Sequence, residues 1–442
     1  MTKQTFLTTF FTLLNESEVN YFVYGEYENL PDGNGDSDID IMLPLEQFPR
    51  LFGVLLPILR RDNIPVVSYY RNKVTSFVRI LTPEWGVQFD FFGGIYHKGK
   101  SYYDIEYIRS SVIKHKGFIN VLSIETGYYL DFLKETIHIC KAKDKYINGF
   151  IKEYINNPVR KSELREKYGH GFIDKVEENL SFDALKMVLK ELNQIMMSQV
   201  HSHDFINRLG MRLYSFKRCF RAPGYVIVVE GTDGSGKSFI INTISPILNE
   251  AFHRGVVYNH LRPNVIPDIA VLMGKRKKAE TEEVVVVSDP HAGKQSGFAG
   301  SLVRWGYYMI DYTFGYLKKV WPAIHTKSKV FIFDRYYYEY YFDQKRSHTS
   351  LPQWILRVGE WFLPRPDLIL CLGGDPKKIY ERKPETSLEE VMRQTKVLKD
   401  FCAKRKNAVW IDTTIAPEES VRCAMDAICD MMSKRFANVK LK

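Results

Sequence analysis

Two groups of residues in this 442-residue chain have the types and spacing to do chemistry on phosphates. The first is Gly231-Thr-Asp-Gly-Ser-Gly-Lys237-Ser238, which satisfies G-x-x-x-x-G-K-[ST], with the apolar run Tyr225–Val229 before it and Phe239–Ile244 after it. A strand, a glycine loop and a helix in that order let successive backbone N–H groups turn inward around a phosphate, while the helix directs its positive end at the same anion. On this pattern Gly231, Thr232, Asp233, Gly234, Ser235, Gly236 and Lys237 cradle a nucleoside triphosphate, Lys237 reaches its β- and γ-phosphates, and Ser238 is a ligand of Mg²⁺. The second group is Asp38-Ile-Asp40, followed at a distance by Asp90 within Val87-Gln-Phe-Asp-Phe-Phe. Strand alternation puts Asp38 and Asp40 on one face. Side-by-side carboxylates repel, so such a pair commonly holds a divalent cation, and an acid among apolar neighbours, as Asp90 is, needs a partner.

These residues need elements to hold them. The region after the glycine loop reads as strands Gly255–Asn259, Val330–Phe333, Pro366–Leu372 and Ala408–Asp412 with helical stretches between. That alternation predicts an α/β fold: a parallel sheet covered by helices, with ligands at the strands' C-terminal ends. Asp334, Arg335 and His260 fall at such ends. The N-terminal part predicts an α+β domain, with a helix carrying Phe6, Phe10, Phe11 and Leu14, a strand Tyr21–Tyr24 and the Asp38–Leu43 strand. Between the two, helical patterns near 123–143, 146–155 and 183–198 predict a helical connector, or an extension of the first domain, without ligand-spaced carboxylates or histidines. The expected domains are 1–118, 119–221 and 222–442.

Glu230–Ser238, Phe333-Asp-Arg-Tyr336, Pro366–Leu370 and Glu381-Arg-Lys-Pro-Glu385 together resemble the thymidylate kinase family of P-loop nucleoside monophosphate kinases, in its surface-polysaccharide-cluster variant. The resemblance implies an ATP-using, Mg²⁺-dependent phosphotransferase in which Arg335 holds the acceptor's phosphate and Asp334 acts near the metal. It further implies that Arg382 and Lys383, and Arg393 with them, close as a lid, and that Asp233 faces the acceptor's sugar hydroxyl. Two departures stand out: His260-Leu-Arg-Pro263 replaces the family's Arg-Glu-Pro, and the interval from Lys237 to Asp334 is long. Tyr307, Tyr308 and Asp311 in that interval either line an acceptor pocket or form a packed aromatic face. The N-terminal part resembles the polymerase beta-type nucleotidyltransferase superfamily, which implies two Mg²⁺ ions held by Asp38, Asp40 and Asp90. The family's Gly-Ser appears here as Gly25-Glu26, so either another group, Ser37 or a lysine, takes the phosphates or the domain no longer transfers nucleotides.

The composition, 45% hydrophobic and 26% charged, is that of a globular protein, and no apolar run reaches the length of a membrane span. With no signal-peptide pattern, the cytoplasm is expected. Six cysteines without a C-x-x-C pair read as reduced, mostly buried thiols. The net charge of +10 is compatible with nucleic acid, an acidic membrane surface or polyphosphate ligands and does not choose among them, and the run Lys275–Lys278 reads as a solvated loop or an anion-binding segment. No nucleic-acid motif is visible, so nucleic acid is not an expected partner. The expected partners are a nucleoside triphosphate and a small phosphorylated acceptor, a nucleotide or a phosphorylated sugar, and a homo-oligomer is compatible with the sequence. The competing class is a non-catalytic nucleotide sensor with an inactive nucleotidyltransferase scaffold.

Overall fold

The computed structural model describes residues 1–34, 37–72, 74–97, 100–199, 216, 218–267, 269 and 296–437. The basic run 275–278, most of the loop 288–297, His201, His203 and the lysines at 440 and 442 lie outside the described residues. The chain divides into two compact units: Met1–Ile80 with Trp85–Lys217 and Phe436–Lys442, and Leu81–Glu84 with Arg218–Arg435.

The first unit is built on a seven-stranded sheet of order β3-β4-β5-β2-β1-β9-β8. Its strands are β1 (Phe22–Tyr24), β2 (Ile39–Met42), β3 (Val66–Arg71), β4 (Thr75–Leu81), β5 (Gly86–Phe92), β8 (Val112–His115) and β9 (Ile119–Leu122), with β6 (Gly94–His97) and β7 (Lys100–Asp104) as a separate hairpin. Alternation along β2 and β5 sorts the residues: Ile39, Ile41, Phe89 and Phe91 join one core with the helices Lys3–Glu16 and Phe48–Arg61. Phe22, Tyr24 and Met42, on β1 and β2, join the opposite core with helices running from Ile124–Ile139 to Leu189–Gln199, through Tyr129, Phe132, Phe150, Leu192 and Met196. Residues 124–199, read from the sequence as a connector, thus supply most of one of this unit's two apolar cores. The first of those helices starts at Ser123, whose side-chain oxygen accepts from the Thr126 N–H and so satisfies one of the free amides of the first turn.

The second unit is a five-stranded sheet, β11-β12-β10-β13-β14, in which every neighbouring pair is parallel. The strands are β10 (Tyr225–Gly231), β11 (Val256–His260), β12 (Val330–Asp334), β13 (Leu368–Gly373) and β14 (Ala408–Asp412), each within a few residues of its predicted position. The three inner strands are buried along their whole length, which is why they read as unbroken apolar runs. Between β11 and β12 a helical tract runs as Phe298–Ile310, a π-helical stretch Asp311–Val320, and Trp321–Thr326. Cys371, Cys402 and Cys429 are buried while Cys219 and Cys423 are exposed, so half rather than most of the thiols are inside.

Candidate functional site

The C-terminal ends of β10, β11 and β12 meet at one edge of the second sheet, with Val229 and His260 both opposite Asp334 in register. The glycine loop leaves β10 there. Gly234 and Gly236 adopt φ of +79° and +81°, a conformation that favours glycine. At Gly231 a Cβ would come within 2.4 Å of Ser235 Oγ and 2.9 Å of the Leu372 carbonyl oxygen, and at Gly234 within 2.6 Å of the Ile379 carbonyl oxygen. No side chain larger than hydrogen fits either place without displacing backbone. Gly236 precedes the helix Lys237–Phe252 and gives it no side-chain cap. Thr232 Oγ1 and Ser235 Oγ are buried without a hydrogen-bond partner among the described residues. A loop with uncapped helix amides and two buried, unpartnered hydroxyls fits a triphosphate.

Lys237 lies inside this loop, its Nζ donating to the carbonyls of Gly231 at 2.9 Å and Thr232 at 2.8 Å. Burial, and then the charge of Arg335, push its ammonium down to about 8. Ser238 is exposed on the first turn of the helix. Asp334 accepts a hydrogen bond from Tyr258 Oη at 3.1 Å through Oδ2 and has His260 Nδ1 at 3.8 Å, while Oδ1 is buried without a partner. Burial pushes its carboxyl up, but the His260 contact and the charges of Lys237 and Arg335 outweigh that and hold it down to about 2. An ionised oxygen with no donor beside a phosphate cradle fits a divalent cation.

Arg335 stands in the left-handed region at φ +68°. Its Nη2 lies 2.6 Å from Asp233 Oδ1 and its Nε 2.7 Å from Glu339 Oε1. Arg346 Nη1 takes the other oxygen of Asp233, so two guanidinium groups share one carboxylate of the glycine loop. The buried Glu230 accepts the Tyr336 N–H at 2.8 Å and so fixes the turn that carries Arg335. Tyr258, Glu230, Glu339 and Arg346 were not singled out by sequence reasoning. Glu339 was within reach, since it follows Arg335 by one helical turn, but nothing local to Arg346 points to the site.

The predicted lid residues are placed differently from one another. Lys383 lies over the loop, its Cβ 3.2 Å from where a Gly234 Cβ would be, and its ammonium pairs with Glu385 at 2.8 Å. Arg382 is exposed at the end of the helix Pro376–Arg382. Arg393 pairs with Glu390 and donates to the Phe342 carbonyl at 2.7 Å. Asp311 does not line a pocket: it is fully buried, pairs with Arg262 at 2.9 Å and accepts the N–H groups of Asn264 and Val265 at 2.9 Å. Tyr308 stacks beneath Arg262, 4.5 Å from its ring centroid, and Tyr307 donates to the Pro267 carbonyl. These residues organise the turn after β11, which is the packed alternative.

In the first unit Asp38, Asp40 and Asp90 come together, each offering a carboxylate oxygen within 4.8 Å of the others. Asp40 and Asp90 face each other across the parallel β2–β5 pair. Burial, then the charges of Asp38 and Asp40, push the Asp90 carboxyl well above the usual range. Gln88 Nε2 donates to Asp90 Oδ1 at 2.8 Å and is itself held by Arg79 at 2.8 Å, a chain that fixes the acid's orientation. Three acids this close, one of them buried, fit a divalent cation, which removes their mutual repulsion. Gly25 turns at φ +91° beside Asp40, and exposed Glu26 accepts the Ser37 hydroxyl at 2.7 Å. Lys134, from the helix Ile124–Ile139, donates to Tyr24 Oη at 2.6 Å, and Tyr24 is the cross-strand neighbour of Asp40. Nothing local to Lys134, which sits among the apolar residues of its helix, points to the site.

Among the described residues no helix is long and apolar enough to cross a membrane. No protein-family model matches the chain, and no curated protein matches it either. Among solved structures, a thymidylate kinase from Ehrlichia chaffeensis is similar to this chain at 17% identity with a TM-score of 0.31, over 47% of this chain and 100% of that one.

Proposed function

We propose that the second unit transfers the γ-phosphoryl group of ATP to a small phosphorylated acceptor, a nucleotide or a phosphorylated sugar. One observation carries the reading. A glycine loop that admits no side chain, a buried lysine and an ionised, half-unpartnered aspartate converge at the ligand edge of a parallel sheet. In this reading Lys237 exchanges its two loop carbonyls for phosphate oxygens, and the helix amides and the loop hydroxyls hold the rest of the triphosphate. An oxygen of the acceptor's phosphate attacks the γ-phosphorus, the bond to the β,γ-bridging oxygen breaks, and ADP leaves with the electron pair. Mg²⁺, held by Ser238 and Asp334, would neutralise charge on the β- and γ-phosphates. Arg335 steadies the acceptor, and Arg382 and Lys383 bring positive charge over the loop. Phosphoryl transfer is mainly positioning and charge neutralisation, and these groups supply both.

Lys237→Ala lowers ATP-dependent phosphoryl transfer at least about 10²-fold on this reading, by loss of transition-state charge stabilisation. A screen of nucleoside monophosphates and sugar phosphates finds the acceptor. Turnover that survives the substitution intact refutes the assignment.

For the first unit, the convergence of Asp38, Asp40 and Asp90 supports a divalent-metal site of nucleotidyltransferase type. The Glu26–Ser37 hydrogen bond favours a second reading, because a carboxylate at the turn where the family carries serine repels a triphosphate. Nucleotidyl transfer abolished by Asp40→Asn, with the second unit's activity retained, supports an active first unit. A chain that binds Mn²⁺ there and forms no pyrophosphate from any nucleoside triphosphate supports the scaffold.

A further inference from the structure

We propose that Arg335 and Arg346 together form the seat of the acceptor's phosphate, a phosphomonoester dianion, and that Asp233 occupies this seat in the ligand-free chain. The proposal rests on the phosphotransferase reading and adds to it a second arginine and an internal anion.

The two arginines come from separate segments. Arg335 follows β12 directly, and Arg346 lies in a turn where its N–H bonds Asp343 Oδ1 at 3.2 Å. They nevertheless meet on opposite oxygens of one carboxylate, and the Nε of each lies near Glu339 Oε1, at 2.7 and 3.7 Å. Two guanidinium groups repel unless an anion lies between them, so the arrangement is an anion site whatever fills it. A carboxylate offers two oxygens and one charge. A phosphomonoester offers three terminal oxygens and nearly two charges, which matches two planar forks better.

The site is also accessible in the right direction. The Arg335 side chain is 5% exposed and forms the floor, whereas Asp233 and Arg346, at 15% and 21%, form the rim. Asp233 belongs to the glycine loop, two residues after Gly231 and one before Gly234, so the carboxylate in the seat is attached to the loop assigned to the triphosphate. The seat therefore lies beside Lys237, which donates to the consecutive carbonyls of Gly231 and Thr232, the second of them in the peptide link to Asp233. An acceptor phosphate bound there has its oxygens next to the phosphoryl group to be transferred. Arg335 keeps a left-handed backbone conformation that is strained for a non-glycine residue, and such strain is retained where a side chain must be aimed.

Inorganic phosphate is the probe, and the glycine loop must be filled first because it too binds phosphate. The full chain, saturated with Mg²⁺ and the β,γ-imido analogue of ATP, is titrated with phosphate by calorimetry. Wild type, Asp233→Asn, Arg346→Gln and Arg346→Lys are compared, and binding of the analogue to each variant reports that it is folded. Phosphate binding that Arg346→Gln weakens at least about tenfold, that Arg346→Lys restores in part, and that Asp233→Asn tightens about tenfold is the expected result. Asp233→Asn that leaves phosphate affinity unchanged or lowers it overturns the role of Asp233. Arg346→Gln without effect, or no phosphate binding to the analogue-filled wild type, overturns the seat. A chain that does not bind the analogue at all fails at the phosphotransferase reading, which separates the two outcomes.

Discussion

Lys237 is held where its charge is costly, and replacing it by the nearly isosteric methionine should make the ligand-free second unit more stable while removing its use for ATP. With the ammonium at about 8 against an ordinary 10.5, the cost to folding at neutral pH is on the order of 3 kcal/mol, at about 1.4 kcal/mol per pH unit. The two loop carbonyls that lose a donor return about 1 kcal/mol of that. The net gain for Lys237→Met at pH 7 is therefore about 2 kcal/mol, or roughly 4–8 °C in melting temperature for a unit of this size. The gain has a defined pH dependence. The folded pKa lies below the unfolded one, so between about pH 8 and 10.5 the unfolded chain binds more protons and wild-type stability rises with pH. Below about pH 8 the full cost is present, and above about 10.5 it is gone. Five of the six tryptophans, at 305, 321, 354, 361 and 410, lie in the second unit, so thermal melts followed by tryptophan fluorescence report on it. Melts of both proteins at pH 7, 8, 9 and 10 without nucleotide should show the variant ahead at pH 7 and the gap closing by pH 10. A variant that melts below wild type at pH 7, or a gap that does not narrow, refutes the reasoning.

In the first unit Arg160 is 1% exposed and bonds Glu153, Glu163, Ser111 Oγ and the Tyr107 carbonyl. Arg160→Met strands the buried Glu163 and should cost about 3–5 kcal/mol in urea unfolding followed by circular dichroism, part of it recovered by adding Glu163→Met; a loss under about 1 kcal/mol contradicts this. Mn²⁺ binding to the Asp38–Asp40–Asp90 cluster should weaken as pH falls, because burial and the neighbouring acids raise the Asp90 carboxyl and protons then compete with the metal. Calorimetry that shows pH-independent Mn²⁺ affinity, or affinity unchanged by Asp90→Asn, removes the site. Asp311→Asn should lower the second unit's stability by about 3 kcal/mol through its buried pair with Arg262, and should leave the acceptor's KM within a few-fold once the folded fraction is accounted for.

What could be read from the sequence is what depends on neighbours in sequence. The glycine loop needs consecutive residues, so its pattern carried its geometry, and period-two alternation was enough to put Asp38 and Asp40 on one face, with Asp90 on a separate strand. That these strands pair in parallel, with Asp40 opposite Asp90, depends on a connection between distant segments that no local pattern encodes. Arg346 and Lys134 reach their sites by the same kind of long-range placement. Asp311 stays between two readings in the sequence for a related reason. An acid in an aromatic helix suggests a ligand, but the π-helical stretch beginning there turns it inward onto backbone amides of the turn after β11, and the sequence shows no sign of that register change. Helices near 123–143, 146–155 and 183–198 were visible by their periodicity, whereas Pro158–Tyr168 and His170–Glu178, in a stretch that reads as polar and charged, were not; and periodicity says only that a helix has an apolar side and not which surface it covers.

The way the first sheet is covered has a practical bearing on how the chain is dissected. A fragment ending at residue 118 would lose β9, which sits between β1 and β8, leaving β8 with no strand to pair with and β1 as a raw edge. It would also uncover Phe22, Tyr24 and Met42, the floor on which the later helices rest. An exposed apolar face beside an open strand edge is a template for self-association, so such a fragment should precipitate or form high-mass aggregates during purification. A cut placed after the helix Leu189–Gln199 keeps both faces covered and all seven strands in place, and fragments for assaying the acidic site by itself are best ended there.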